Sequence, residues 1–418
     1  MILFLSFVVL LALGVPIAIT TGLATIIAMS TDNLGLTTAV QRMFSGVDSF
    51  SLMAIPFFVF SGDIMLKGGA SKRLIDFANK LFGWITGGLP ITAIISSMFF
   101  AALSGSSPAT VAGVGGVMIP NLIEKNYPKK FTVGLLCAAG SLGIIIPPSI
   151  TMMSYGVVSE QSISRLFIAA VIPGIFIGLT LMIYSYIYAR ISKHEKVPFP
   201  TFKEVLISFK DAFFSIMMPV IILGGIYLGF ATPTEAAAVA IIYSLIISLF
   251  IYKEIKPGDV LIIAKKSVIT SAMIMFVIAT SKLFSWYLTF RQVPLKVADV
   301  VLALESSPFV ILLVINVILL FVGMIMDSSA AVLILTPLFL PIVTNIGVNP
   351  IHFGVIMIVN LAIGMLTPPF GLNLFVASGI GNISISDVIK GSVPFIALLI
   401  FDLMVITFVP QLSLLLVK

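Results

Sequence analysis

Two pairs of consecutive prolines stand inside strongly apolar stretches of this sequence, Pro147-Pro148 and Pro368-Pro369. A proline has no N–H, so it cannot donate to the carbonyl four residues before it in a helix. The pairs therefore free four backbone carbonyls, those of Gly143, Ile144, Gly364 and Met365. Inside a membrane such carbonyls need another partner, and secondary transporters use them to bind Na⁺. A kink is the plainer interpretation of one proline pair, whereas two matched pairs favour a binding site.

A second polar stretch, Ser104–Thr110, reads SGSSPAT and also lies in apolar surroundings. Pro108 frees the carbonyl of Ser104 in the same way. Basic residues on both sides of the stretch favour a hairpin that enters and leaves the membrane on one side. Close helix packing through small residues is the alternative, and it suits Gly113–Gly116 better than the serines.

The corresponding stretch of the second half holds Asp327, followed by two serines. An aspartate at the centre of a membrane helix costs about 3 kcal/mol on insertion scales, so Asp327 is a candidate functional residue. Asp-Ser-Ser is also good capping chemistry for a helix N-terminus, so a capping role stays open beside a binding role. Thr367 and Asn373 flank the second proline pair and could add oxygen ligands for a cation.

The composition indicates where these residues lie. Of 418 residues, 59% are hydrophobic and only 10% are charged, and the mean hydropathy is +1.21. Soluble domains carry about a quarter of charged residues, so this chain is an all-α protein with many membrane-spanning helices. We expect residues 2–29, which carry no charge, to form one retained first helix.

The sequence also argues against several classes of protein. One cysteine, Cys137, cannot form an intramolecular disulfide. No GxxxxGK[ST] motif is present, so the chain does not bind ATP through a P-loop. The net charge of +6 comes from basic residues in short loops between apolar runs. The positive-inside rule explains that distribution, so nucleic acid is not an expected partner.

The proline pairs belong to a longer internal repeat. Four prolines of the first half recur 221 residues later: Pro120, Pro147, Pro148 and Pro173 correspond to Pro341, Pro368, Pro369 and Pro394. We predict two structural repeats, 1–190 and 212–418. The loop after Pro120 is basic and the loop after Pro341 has no basic residue, which favours inverted repeats. The counterpart loops 67–80 and 291–296 are both basic, which argues against inversion.

In this scheme the hairpin and the broken helix of each repeat form a transport domain, and the other helices form a scaffold. The predicted segments are 1–84 (arm helices of repeat 1), 85–165 (first half of the transport domain), 166–211 (a scaffold helix and an amphipathic linker helix along the membrane surface), 212–304 (arm helices of repeat 2), 305–387 (second half of the transport domain) and 388–418 (a C-terminal scaffold helix).

Four motifs together resemble a known family: SGSSPATVA from Ser104, GIIIPPS from Gly143, DSS from Asp327 and GMLTPPFG from Gly364. They are similar to the large membrane subunit of tripartite ATP-independent periplasmic (TRAP) transporters, and the similarity extends over essentially the whole chain. The resemblance implies an elevator-type fold with inverted repeats and Na⁺-coupled import of an organic-acid anion across the bacterial inner membrane. It also implies two partners, a small four-helix membrane subunit and a periplasmic substrate-binding protein.

The resemblance also implies which residues act. The first Na⁺ site would use, mainly through backbone carbonyls, Ser104, Ser107, Gly143, Ile146 and Pro148. The second Na⁺ site would use Gly323, Gly364, Thr367 and Phe370. The substrate would lie between the hairpin tips, near Ser106, Ser149 and Asp327.

The sequence therefore predicts a transporter subunit and not an enzyme. Sialic acid and C4-dicarboxylates are both substrates that the resemblance allows. One alternative is a stand-alone ion-coupled anion carrier that needs no binding protein. Another is an intramembrane enzyme that uses Asp327 and a serine, although the sequence shows no base for the serine and no second well-placed aspartate.

Overall fold

The computed structural model describes residues 2–192, 198–293, 296 and 307–417, and every regular element within them is helical. In chain order the α-helices are α1 Ile2–Ala12, α2 Ile17–Thr31, α3 Leu36–Val47, α4 Ala54–Lys67, α5 Ala70–Phe82, α6 Gly88–Ser104, α7 Ser107–Glu124, α8 Lys129–Ile145, α9 Ile150–Ser159, α10 Ile163–Ile191, α11 Phe202–Tyr227, α12 Pro233–Ile246, α13 Pro257–Phe290, α14 Pro308–Ile325, α15 Ser328–Asn345, α16 Pro350–Gly364, α17 Leu372–Gly381, α18 Ile385–Phe408 and α19 Gln411–Leu414. The all-α prediction is confirmed.

Long apolar helices dominate this arrangement. Eight of the described helices are long and apolar enough to cross a membrane, and α8 with α9, bent by 40° at their break, would make a ninth span. Large apolar side chains such as Leu261 and Val268 point outward and are 76% and 65% exposed. Rows of exposed leucine, isoleucine and valine suit hydrocarbon rather than water. The chain is a multi-spanning membrane protein.

The charge-free stretch 2–29 does not form one helix, so that prediction was wrong. α1 ends at Ala12 and α2 begins at Ile17. Gly14 between them has φ +76°, which glycine tolerates and which ends a helix, and Pro16 precedes the first turn of α2. The 11 residues of α1 reach only about 16 Å at 1.5 Å per residue, roughly half of the hydrocarbon thickness. α1 therefore lies against α2 instead of crossing alone.

The second half of the linker is the start of a longer helix rather than a separate surface helix. α11 runs without interruption from Phe202 to Tyr227. Its start is fixed by a capping box, in which Glu204 accepts from the Thr201 N–H (3.0 Å) and Thr201 accepts from the Glu204 N–H (3.4 Å). Linker residues 193–197 and the predicted boundary at 304–305 lie outside the described residues.

The helices repeat in the order that the proline spacing predicts. A hairpin, α6 and α7, is followed by a broken helix, α8 and α9, and then by the long α10. The second half shows the same series, with hairpin α14 and α15, broken helix α16 and α17, and the long α18. Ser107 and Ser328, which begin α7 and α15, are 221 residues apart, as are Lys129 and Pro350 at the starts of α8 and α16.

Two contacts show how the repeats are oriented. Lys130, at the start of α8, forms an ion pair of 2.9 Å with Asp387 at the start of α18. Tyr155, beyond the break and near the far end of α9, donates to the carbonyl of Pro350 at the start of α16 (2.6 Å). The starts of the two broken helices therefore lie at opposite ends of the bundle, as they would in inverted repeats, and the inversion across the membrane stays a prediction.

The first helices of the two broken pairs form the centre of the bundle. Every residue of α8 from Phe131 to Ile145 is buried, and so is every residue of α16 from Ile351 to Gly364. A helix that is apolar and buried on all sides must lie in the middle of a structure. Where α8 crosses α18, a Cβ on Gly391 would overlap the backbone of Lys130. Glycine therefore allows the two backbones to touch.

This crossing can be tested with a matched pair of glycine variants. We expect Gly391→Ala to destabilise the fold by about 1–3 kcal/mol, because the added methyl group has no room. Gly224→Ala is the control: Gly224 lies inside α11, nothing lies within 4 Å of an added methyl group, and alanine is the better helix former. Thermal unfolding in detergent measures both variants. A wild-type midpoint for Gly391→Ala would contradict the crossing.

Candidate functional site

The first hairpin turns at Gly105, between α6 and α7. Gly105 has φ +59°, and its N–H donates to the Ala101 carbonyl (2.9 Å) at the end of α6. A Cβ at this position would stand 2.9 Å from the carbonyl oxygen of Pro148, so glycine lets the tip lie against the first break. The Ile150 N–H donates in turn to the Gly105 carbonyl (3.3 Å). The first tip and the first break therefore form one unit.

Hydroxyl and carbonyl oxygens converge at this junction. The hydroxyl oxygens of Ser104 and Thr110 are 3.0 Å apart, and Thr110 donates to the carbonyl of Ser106 (2.9 Å). Gly143 lies directly against them, since a Cβ on Gly143 would stand 2.5 Å from both the Ser106 carbonyl and the Thr110 hydroxyl. Two of the residues predicted for the first Na⁺ site, Ser104 and Gly143, thus meet among oxygen atoms.

The break between α8 and α9 satisfies one of its freed carbonyls by itself. Ile146 ends α8 in an extended conformation, and the Pro147-Pro148 bond that follows is cis. Ser149 donates to the Ile144 carbonyl (2.7 Å) and accepts from the Met152 N–H (3.3 Å), which caps α9. Ser149 is fully buried and does not line the cavity described below. Ser149, which the sequence placed near the substrate, therefore stabilises the break in the structure.

Asp327 forms the second tip, at the start of α15. Its Oδ1 atom accepts from the Ser329 N–H (2.9 Å) and the Ala330 N–H (3.4 Å), so the capping role that the sequence left open is present. The side chain also lines the cavity, so the same position is open to a ligand. Ser106, the equivalent residue of the first tip, makes no such side-chain cap. The two tips are therefore chemically different.

The second break gathers the residues predicted for the second Na⁺ site. Gly364 touches Gly323 so closely that a Cβ on Gly364 would overlap the Gly323 backbone. The Phe370 N–H donates to the carbonyl of Met324 (3.2 Å), which ties the break to the end of α14. The Gly364 carbonyl accepts from the Thr367 N–H (3.0 Å).

Both freed carbonyls of this break have a backbone donor. The carbonyl of Met365 accepts from the Asn373 N–H (2.9 Å), just as that of Gly364 accepts from the Thr367 N–H. A carbonyl oxygen has two lone pairs, so one donor leaves the oxygen able to bind a cation as well. These donors replace the helical hydrogen bonds that the prolines remove, and the carbonyl oxygens can still bind a cation.

Each tip is also bonded to the broken helix of the other repeat. Asn373 of α17 donates to the hydroxyl of Ser107 on the first tip (2.8 Å). The hydroxyls of Thr151 on α9 and Ser328 on the second tip are 3.3 Å apart. Ser107 corresponds to Ser328 at 221 residues, and Thr151 to Asn373 at 222. We call these two contacts the crossed pairs, and they connect each tip to the opposite repeat.

A cavity of about 480 Å³ lies between the tips and two further helices, α4 and α13. Both tips line it, through residues that include Ser106, Ser107, Asp327, Ser328 and Ser329. The opposite wall is one face of α13, with Lys266, Thr270, Met273 and Val277 at helical spacing. The tips and this wall together enclose a space large enough for a small organic molecule.

Two charged residues in this cavity are not among the sequence-predicted site residues. Lys266 Nζ lies 3.5 Å from Asp63 Oδ1, and Asp63 Oδ2 accepts from the hydroxyl of Ser267 (2.8 Å). A charge within an apolar, membrane-spanning helix is itself a signal of function. Their pairing was not visible, because α4 and α13 are distant in the sequence and meet only in the fold.

An all-helical membrane bundle in which two hairpin tips and two broken helices surround a cavity is the architecture of a secondary transporter. Comparison with known proteins gives the particular family. A family model described as "Tripartite ATP-independent periplasmic transporter, DctM component" matches residues 4–412. The chain belongs to this family, and the resemblance noted in the sequence is confirmed.

Named relatives agree with this assignment, and a solved structure supports the fold. The chain is 44% identical over 393 residues to the C4-dicarboxylate TRAP transporter large permease protein DctM of Pseudomonas aeruginosa, covering 94% of this chain and 92% of that protein. It is 38% identical over 386 residues to the sialic acid TRAP transporter large permease protein SiaM of Vibrio cholerae, covering 92% and 90%. The crystal structure of the Alcanivorax borkumensis YdaH transporter aligns with a TM-score of 0.67 over 92% of this chain and 89% of that one, and at 13% identity it supports the fold alone.

The crossed pairs lead to a stability prediction. We expect Asn373→Ala to destabilise the protein by about 1–3 kcal/mol, because the Ser107 hydroxyl and the Cys137 carbonyl lose a buried partner. Thr344→Ala is the control, since the Thr344 hydroxyl is exposed and bonds carbonyls of its own helix. Thermal unfolding gives the midpoints. A double-mutant cycle should show coupling of Asn373 with Ser107, and strictly additive effects would exclude the crossed contact.

Proposed function

We propose that this chain is the large membrane subunit of a Na⁺-coupled importer of an organic-acid anion in the bacterial inner membrane. One observation carries the proposal: both tips and both breaks meet around one cavity. The first residues of α7 line this cavity, and the helix start has no side-chain cap. Free N–H groups at a helix start attract anions. Ser106 and Asp327 border the anion from the two tips, and Ser149 supports the first break from behind.

Sodium would bind once at each break. The proposed ligands of the first site are Ser104, Ser107, Gly143, Ile146 and Pro148, and those of the second are Gly323, Gly364, Thr367 and Phe370. The close approach of Gly143 to the Ser106 carbonyl, and of Gly364 to Gly323, supports this placement because it brings backbone oxygens together. The family is ATP-independent by description, so an ion gradient is the available source of energy.

The substrate class follows from what relatives carry. One relative is named for C4-dicarboxylates and another for sialic acid, and both substrates are carboxylate anions. The cavity lined by the tip serines and by Lys266 suits such a group. We therefore propose a small organic carboxylate and leave its identity to experiment.

The crossed pairs support an elevator mechanism. They join the tips and breaks of both repeats into one body, and α4 and α13 form the wall against which this body rests. Sliding of the body along that wall would open the cavity to one side of the membrane and then to the other. The tripartite description supports two further components, a small four-helix membrane subunit and a periplasmic binding protein that delivers the anion.

Transport by the reconstituted system tests the proposal. We would measure uptake of labelled succinate and N-acetylneuraminate into proteoliposomes that contain this chain, the small subunit and the binding protein. An inward Na⁺ gradient should drive uptake of one of these anions, and replacing Na⁺ by K⁺ should reduce uptake to background. Unchanged uptake in K⁺ would exclude Na⁺ coupling. Full uptake by this chain alone would instead favour a stand-alone carrier.

Variants at the tips test the placement of the substrate. Ser106→Leu should abolish uptake because leucine fills the space at the first tip, whereas Ser106→Ala should retain it. Asp327→Ala should also abolish uptake. Asp327→Asn keeps a capping oxygen, so we expect it to unfold like the wild type and yet to lose uptake about tenfold. Normal uptake in Ser106→Leu and Asp327→Ala would refute the placement.

A further inference from the structure

We infer that Lys266 binds the carboxylate of the transported anion and that Asp63 is the partner from which the lysine is recruited. This inference rests on the proposed function and adds a specificity-determining residue on the wall that faces the tips. Lys266 belongs to α13, so it lies outside the body formed by the tips and breaks. The anion would therefore contact both parts of the protein at once.

The balance of charge in the cavity calls for such a residue. The lining residues in the described part of the chain include two carboxylates, Asp63 and Asp327, and one cation, Lys266. A cavity with an excess of negative charge repels an organic anion, and the repulsion is strong where water is scarce. Lys266 is positioned on the same face of α13 as Thr270 and Met273, which also line the cavity. Among the described lining residues, its ammonium group is the charge that offsets one of the two carboxylates and can attract an anion.

The ion pair of Lys266 is loose enough to be exchanged. Its N–O distance of 3.5 Å is longer than the roughly 2.7–2.9 Å that is typical of a charge-assisted hydrogen bond. The Lys266 side chain is 65% exposed, whereas that of Asp63 is 21% exposed. An ammonium group has three donors, so it can turn to a substrate carboxylate without leaving Asp63 altogether.

Asp63 is held more firmly than the lysine. Its second oxygen accepts from the hydroxyl of Ser267, the residue next to Lys266 on α13. This bond fixes the carboxylate against α13 while the long lysine side chain stays mobile. Asp63 thus orients Lys266 in the absence of substrate and competes with the substrate for it. Removing the charge of Asp63 should therefore strengthen anion binding, whereas removing the charge of Lys266 should weaken it.

A matched set of variants tests this inference. Lys266→Gln removes the charge, Lys266→Arg keeps it, and Asp63→Asn removes the competing charge while keeping an oxygen for Ser267. Lys265→Gln is the control, because Lys265 is exposed on the same helix and does not line the cavity. The complex of this chain with its small subunit, in nanodiscs at saturating Na⁺, would be titrated with labelled succinate and N-acetylneuraminate. Equilibrium binding does not depend on the orientation of the protein.

The variants should change the affinity for the anion in opposite directions. Lys266→Gln should weaken binding of the transported anion by about tenfold or more, as expected for the loss of a charge-assisted hydrogen bond. Lys266→Arg should bind within about threefold of the wild type, since arginine also presents a permanent cation with several donors. Asp63→Asn should bind more tightly, the double variant should resemble Lys266→Gln, and Lys265→Gln should match the wild type.

The outcomes separate this inference from the function on which it rests. Wild-type binding by Lys266→Gln, or weakened binding in Asp63→Asn, would overturn the role of Lys266 while transport by the wild type stands. Equal weakening in Lys265→Gln would show a general effect of surface charge and would also overturn it. If the wild type neither transports nor binds either anion, the proposed function fails, and the inference fails with it.

Discussion

The hydrocarbon layer offers no water to a bare backbone carbonyl, and at both breaks proline removes the N–H that a helix would supply. Many contacts of the site satisfy the carbonyls that this constraint leaves without a donor. Ser149 donates to the Ile144 carbonyl, and the Asn373 N–H reaches back to Met365. Glycine also lets the first tip lie against the first break, where the Gly105 carbonyl accepts from the Ile150 N–H. The breaks are stable in the membrane because neighbouring groups supply the hydrogen bonds that the prolines remove.

The same constraint explains why part of the structure could be predicted from the sequence. A proline acts on the residue four positions before it, so the breaks and the 221-residue repeat were visible in the spacing alone. Asp327 stood out because a carboxylate is costly in an apolar stretch, and its cap depends on the next three residues. Composition alone does not reveal the break after α1, although Gly14 and Pro16 mark it.

Contacts between distant segments could not be predicted in this way. Lys266 and Asp63 meet because α13 lies against α4, and nothing in the spacing of either helix states that neighbour. The crossed pairs have the same character, since Ser107 finds its partner 266 residues away. The role of Ser149 depended on the path of the chain after the break, and its hydroxyl turns inward to Ile144. Interactions between residues close in the sequence can be predicted from it, whereas contacts between distant residues are known only from the fold.

The two halves have the same plan and different chemistry. The first tip ends in Ser106 with an uncapped helix start, and the second ends in Asp327 with a capped one. Because each tip is bonded to the broken helix of the other repeat, neither half is complete by itself. A single repeat made alone could form these bonds only by meeting a second copy. Once joined in one chain, each half is free to change its tip provided that it keeps the residue on which its counterpart depends.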